Sequence, residues 1–404
     1  MSKKKKSIKY EFANLEKEID MQAFQNSVIF FFREIPDPRS DDNCDYSFPE
    51  LLTIMLMAVF SGADDIADIH EYANQKLRLL QALFGEEFIP PSYNTFWWLL
   101  TRMNPQAFSD AFFKWIKDEH ISSLAGKQIN IDGKSLRGAR SKKGNSNVHI
   151  VHAWVHEYGM LIGQLKTDEK SNEITAIPAL LELLDIKDAT ISIDAAGCQK
   201  NIAKTIRNAG GNYLLAVKRN QPRLYDDVIN LFEEAHKIDF KYVLNCDRFE
   251  SLEKNSGRIE KRSIAIISDP SELSTALDWK DLETVIEVVN EISAKGKITI
   301  EKRYYISNLI ENAQEFGARV RAHWGVESMH WTLDVTFKED SSRANTLHAA
   351  VNLGTLRRAA LNIVKSDPEL KKLGMAKVRR KAKWNEDGSI MKKIFESLFS
   401  IKSF

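Results

Sequence analysis

Two aspartates close short apolar, β-branched runs in this chain: Asp132 in QINIDGKSLRG and Asp194 in ATISIDAAGCQ. A further acid, Glu327, stands in RAHWGVESMHW, with Asp334, Glu339 and Asp340 after it. Carboxylates at neighbouring strand ends and on an adjoining helix can converge although far apart in sequence. Once gathered, they repel one another unless a cation sits between them. Hard oxygen ligands favour Mg²⁺ or Mn²⁺. Two such ions can activate a water or hydroxyl and also stabilise the leaving oxygen of an in-line phosphoryl displacement. In that scheme Asp132 bridges the two ions, and Asp194 and the third acid hold one each. An Asp at a strand end also commonly caps the turn that follows. Residue types alone do not separate Glu327 from the acids after it, since Glu327 and Asp334 can share one helical face.

Basic and amide groups collect near the two aspartates. Lys134, Arg137 and Arg140 follow Asp132, with Lys142 and Lys143 beyond. Lys218, Arg219, Asn220 and Gln221 leave a later strand on the same sheet edge. Lys134, Arg137, Lys218, Asn220 and Gln221 are therefore candidate DNA contacts, of the kind that hold phosphates in register without reading bases. A solvated loop is the plain alternative. His323 and His330 flank Glu327 and read as hydrogen-bonded core histidines rather than metal ligands. Trp324 and Trp331 read as packing against the sheet rather than stacking on bases.

The elements that must carry these groups follow from periodicity. Residues 1–20 are polar and charged, an arm. Residues 21–120 are helical in pattern, with Ser92 a natural cap before YNTFWWLLTRM. After Gly126 the texture changes. Strands are expected at 127–132, 148–157 and 160–168, the last two joined at Tyr158-Gly159. A helix at 174–185, a buried strand at 189–194, a helix at 201–210, a strand at 212–218 and a further helix follow. Three strands and then α-β-α-β is the order of a ribonuclease-H-like fold, in which the first and fourth strands lie side by side. Residues 240–306 read as a β-rich insertion, and a helical pattern resumes near 311. The expected fold class is thus α/β, a ribonuclease-H-like core (125–239 and 307–366) interrupted by that insertion. A helical N-terminal domain precedes it, and a basic tail (367–404) ends the chain.

Composition narrows the classes further. At 404 residues, with 43% hydrophobic residues, the chain has the size for two or three domains. A formal net charge of +1 means that any nucleic-acid surface is local. Lys3 to Lys6 and the run from Lys377 to Lys383 are the local basic stretches. Cys44, Cys198 and Cys246 are scattered, which argues against a zinc site or disulfide framework and for a reducing compartment. The apolar run Leu51–Phe60 is too short to span a bilayer. A cytoplasmic protein with no membrane partner is expected.

Several longer stretches carry a specific resemblance: IDGKSLRG (131–138), EKSNEITAIPALLELLD (169–185), IDAAGCQKNIA (193–203), GGNYLLAVKRNQPRL (210–224), GRIEKR (257–262), HWGVESMHWTLDVTFKED (323–340) and NLGTLRRAALNI (352–363). In these motifs, over roughly residues 25–365, the chain resembles the H-repeat-associated insertion-sequence transposases, a branch of the DDE transposases. The resemblance implies a catalytic and metal-binding triad of Asp132, Asp194 and Glu327, and so selects Glu327 among the later acids. It implies Mg²⁺ dependence with two ions, Mn²⁺ being a substitute, and partners in transposon-end and target DNA. It also implies a dimer or larger synaptic assembly and an end-binding helical domain, for which PSYNTFWWLLTRM is the candidate contact. Ser256, Ser328, Asn345 and Val351 depart from the residues usual in that family. Two rival readings use the same residues: a relic that binds DNA without cutting, and a host nuclease on the same fold. Inverted repeats flanking the coding sequence would discriminate the transposase from the relic, and a host nuclease would cut without regard to terminal-repeat sequence.

Overall fold

The computed structural model describes residues 35–39, 44–140, 147–167, 173–255, 257–294, 296–342, 347–384 and 389–398. Lys3 to Lys6, Lys142, Lys143, Ser256, Asn345 and the side chain of Arg137 lie outside the described residues.

Helices come first: α1 (Phe48–Phe60), α2 (Ile66–Gln75), α3 (Leu77–Phe84), α4 (Tyr93–Arg102) and α5 (Pro105–His120). Their starts follow local chemistry. The Ser47 hydroxyl and the Glu50 carboxylate satisfy each other's backbone N–H at the head of α1. Ser92 accepts from Thr95 N–H to begin α4, and Asn104 followed by Pro105 begins α5.

The sheet elements then follow: β1 (Gln128–Arg140), β2 (Asn147–Val155), β3 (Met160–Thr167), α6 (Glu173–Glu182), β4 (Thr190–Ile193), α7 (Lys200–Asn208), β5 (Asn212–Val217) and α8 (Pro222–Lys237). Gly159, at φ +68°, supplies the left-handed residue that the β2–β3 hairpin needs. Four further strands follow, β6 (Cys246–Asn255), β7 (Arg258–Ser268), β8 (Thr284–Ala294) and β9 (Lys297–Ser307). Helices α9 (Ala313–His323), α10 (Gly325–Trp331), α11 (Leu347–Ser366), α12 (Pro368–Leu373), α13 (Met375–Trp384) and α14 (Ser389–Leu398) end the described chain.

All nine strands form one sheet in the order β3-β2-β1-β4-β5-β9-β8-β7-β6. The region expected as an insertion therefore extends the central sheet, through antiparallel pairing of β9 with β5. Strand β6 pairs with β7 along its whole length; its polar sequence gave no strand pattern. In β4 all four residues are buried, as a central parallel strand covered on both faces requires. One face of the added strands packs Ile264, Ile266, Ile286 and Val288 against Phe316 and Val320 of α9.

The expected strand end at Asp132 needs correction. β1 continues to Arg140, and Asp132 pairs in mid-strand with His152 of β2. What ends there is the parallel ladder to β4, whose last pair is Ile131↔Ile193. Helix α11 is the strut between layers. It packs on α1, α4 and α5 and on the β1–β3 side of the sheet. Asn352 donates to the carbonyls of Leu100 and Met103, and Asn362 is bonded to both backbone groups of Leu161.

The basic stretch near the C-terminus is helical, not a loose tail. Arg379 of α13 is buried and donates to Val59 O, Ala63 O and Asp64 Oδ1. Among the described residues, no helix is long and apolar enough to cross a membrane.

Candidate active site

The β1–β4 register brings Asp132 and Asp194 side by side, each one residue past the pair Ile131↔Ile193. Asp194 also caps the turn after β4, its Oδ1 accepting from Ala196 N–H at 3.0 Å. The capping role and a ligand role are compatible, because a carboxylate has lone pairs to spare. Glu327 is exposed on α10, and α10 packs on β1.

Asp132 registers this gathering of charge. Burial first, then the Asp194 carboxylate, push its pKa from 3.8 up to about 7, and Glu173 and Glu327 add to the rise. A donor from Gly133 N–H at 2.9 Å works in the opposite sense. Among the described residues no three His, Cys, Asp or Glu side chains close into an ion cage as they stand. The acids are neighbours in a surplus of negative charge that a cation would relieve, and their hard oxygens suit Mg²⁺ or Mn²⁺.

The other acids after Glu327 have partners elsewhere. Asp334 and Asp340 take the Lys134 ammonium at 2.5 Å and 3.5 Å. Glu339 is buried between Arg358, at 2.8 Å, and Lys134, at 4.0 Å. Burial pushes the Glu339 pKa up, but Arg358, Arg357 and Lys134 outweigh it and hold the carboxyl below its ordinary range. Lys134, expected on the DNA surface, is only 7% exposed and belongs to this internal cluster.

Asn220 is exposed and Gln221 half-buried, and each donates an amide N–H to the chain itself. Asn220 Nδ2 donates to Ala195 O at 2.6 Å, and Gln221 Nε2 to Cys198 O at 3.0 Å, so both clamp the turn that carries Asp194. Lys218 and Arg219 are exposed on the same edge. Arg137 lies on β1 beside an irregularity between Leu136 and Arg140.

The histidines divide as follows. His323 is buried, with Nδ1 3.0 Å from Ser192 Oγ, and burial and then Arg303 lower its pKa to about 4. His330 lies between the site and the core: Nδ1 is 3.4 Å from Asp132 Oδ2 and Nε2 is 3.3 Å from His152 Nδ1. Burial, then Lys134 and Arg358, bring the His330 pKa down to about 3. His152 was not singled out from the sequence, where only its place in a strand is visible. Of the two tryptophans, Trp324 meets the sheet, its ring lying 4.2 Å from Arg303 of β9, whereas Trp331 is 63% exposed and does not pack as expected. Val351, one of the departures, sits in a small apolar cluster with Leu136, Val148, Ile150 and Ala350, where an unpaired acid would be costly.

Two aspartates thus stand at one end of the β1–β4 parallel ladder, with the helix that carries Glu327 packed on β1, in an α/β protein built on one large sheet. The family is then explicit: residues 125–363 match the family described as Transposase DDE domain, residues 29–116 match the one described as DDE_Tnp_1-associated, and the chain belongs to the DDE transposases. It is 34% identical over 369 residues to "Putative transposase YncI" of Escherichia coli O157:H7, covering 89% of this chain and 92% of that protein. It is 36% identical over 357 residues to "H repeat-associated putative transposase YhhI" of Escherichia coli K12, covering 86% and 92%. Among solved structures, a piggyBac transposase synaptic complex with hairpin DNA aligns at TM-score 0.47 and 12% identity, over 92% of this chain and 81% of that one. That likeness is too loose to assign residues.

Proposed function

We propose that this DDE transposase cuts DNA at the ends of its own element and joins the freed end to target DNA, using Asp132, Asp194 and Glu327 as metal ligands. The observation that carries the reading is the β1–β4 register, which sets the two aspartates shoulder to shoulder at the end of the parallel ladder. The raised pKa of Asp132 supports it, since a group that repels its own proton loss is one that a cation would relieve. Glu327 is favoured as the third ligand because Asp334, Glu339 and Asp340 already answer Lys134 and Arg358. The strand order β3-β2-β1-β4-β5 supports a ribonuclease-H-like core, with the β6–β9 strands as its insertion.

Two divalent ions, Mg²⁺ or Mn²⁺, would supply activation of the attacking oxygen and stabilisation of the leaving one. The chain's own residues do the rest. Asp132 is oriented by the Gly133 N–H and His330. Asp194 is held by the turn that Asn220 and Gln221 clamp. Lys218 and Arg219, exposed at the same edge, hold phosphates, as does Arg137. Lys134 acts inside the protein, as the counter-ion of the acids beyond Glu327. Helices α1 to α5 form the domain that meets the element ends, with Tyr93 and Trp97, each 41% exposed on α4, as the contact. A dimer or larger assembly brings two ends together.

The experiment is cleavage of labelled terminal-repeat DNA with Mg²⁺ by the parent and by the Asp132→Ala, Asp194→Ala and Glu327→Ala variants. Each should bind ends and fail to cut. Cutting at the parental rate by Asp194→Ala contradicts the assignment.

A further inference from the structure

Beneath the acids lie two consecutive arginines, Arg357 and Arg358, which are 1% and 0% exposed on α11. Burying a guanidinium is costly unless its donors are answered. Arg357 reaches Asp64 O at 2.6 Å. Arg358 gives Nη1 and Nη2 to Glu339, at 2.8 Å and 3.3 Å, and its Nε to His152 Nε2 at 2.9 Å. A guanidinium can only donate. His152 Nε2 must therefore carry the lone pair, and the His152 proton sits on Nδ1. That proton points to His330 Nε2, 3.3 Å away, so His330 in turn keeps its proton on Nδ1. His330 Nδ1 is 3.4 Å from Asp132 Oδ2. Each link fixes the next, from an arginine that cannot lose its proton to a carboxylate at the site.

Space is reserved for this chain of contacts. A Cβ on Gly354 would lie 2.6 Å from Arg358 Nη1 and 3.2 Å from Glu339 Oε1, so a larger residue would displace the pair. His152 is itself 0% exposed and sits directly across the strands from Asp132.

We propose that Glu339, Arg358, His152 and His330 form a positioning relay that fixes the Asp132 carboxylate for the metal ions it would hold. His330 Nδ1 lies 3.4 Å from Oδ2 while the Gly133 N–H holds Oδ1 at 2.9 Å, and each carboxylate oxygen has a second lone pair for a metal ion. This rests on the reading of Asp132 as a metal ligand. Outer partners of this kind set ligand orientation and tune affinity.

Two measurements test it. In the parent labelled with ¹⁵N at histidine, without metal, His152 and His330 should both show the Nδ1–H tautomer. An Nε2–H tautomer at either position overturns the relay. In Mn²⁺ titrations followed by electron paramagnetic resonance, His330→Leu should weaken binding about 10–100-fold. His330→Gln, whose amide can accept from one side and donate to the other, should recover most of that loss. Equal losses in the two variants, or parental affinity in His330→Leu, overturn the relay. Asp132→Ala separates the two levels: if it too binds Mn²⁺ as the parent does, the ligand assignment itself fails. If it alone loses the ion, that assignment stands and only the relay falls.

Discussion

Replacing Asp132 by Asn removes a charge that the metal-free protein holds unfavourably. Burial and then Asp194 raise the Asp132 pKa from 3.8 to about 7. A folded-state pKa above the unfolded one means that the folded protein binds this proton more tightly. The resulting stabilisation is complete below the ordinary value and is lost as pH rises through about 7. For a fully desolvated group the gap corresponds to about 4 kcal/mol. The side chain is 27% exposed, and solvent screening reduces the effect to about 2 kcal/mol. The Asn amide can still accept from the Gly133 N–H. In EDTA at pH 8, Asp132→Asn should therefore be more stable than the parent by about 2 kcal/mol in urea denaturation. At pH 5 less than about half of that advantage should remain. Added Mg²⁺ should stabilise the parent and not the variant. A variant no more stable at pH 8, or an advantage independent of pH, would refute the electrostatic reasoning.

Two further outcomes follow from the same geometry. Glu339→Gln leaves Arg357 and Arg358 without their buried counter-charge, and should lower stability by about 3–5 kcal/mol in the same denaturation assay; a loss below about 1 kcal/mol would show the cluster to be solvated. Lys218→Ala should weaken binding of end DNA and random DNA alike, lowering the salt dependence by about one phosphate contact; an unchanged salt slope would remove Lys218 from the interface.

Much of the framework was legible in the sequence because it depends on local pattern. The runs QINID and ATISID are apolar and β-branched enough to be strands, and the three-strand, then α-β-α-β order already implied that β1 and β4 are neighbours. Their observed pairing, Gln128↔Thr190 to Ile131↔Ile193, agrees. What was not legible depends on partners distant in sequence. Lys134 follows Asp132 closely and reads as a phosphate contact, yet its partners Asp334 and Asp340 lie some 200 positions away and draw it inward. His152 and Arg358 have no local signal at all, since their roles exist only where β2 and α11 meet. Within the β-rich stretch, β6 has no apolar alternation of its own in CDRFESLEKN, and its partner β7 supplies the ladder. The exposure of Trp331 was missed for the converse reason: heptad spacing with Trp324 suggests a packed face, yet Trp331 is 63% exposed where the helix passes into a wider turn at Thr332–Thr336.

Anomalous diffraction from crystals of the protein soaked in Mn²⁺ tests the central assignment most directly. Peaks are expected among the carboxylates of Asp132, Asp194 and Glu327, with loss of the signal in Asp132→Ala crystals. Density for the ion only at other acids, such as Asp334 or Asp340, or no ordered ion at all beside Asp132, would contradict it.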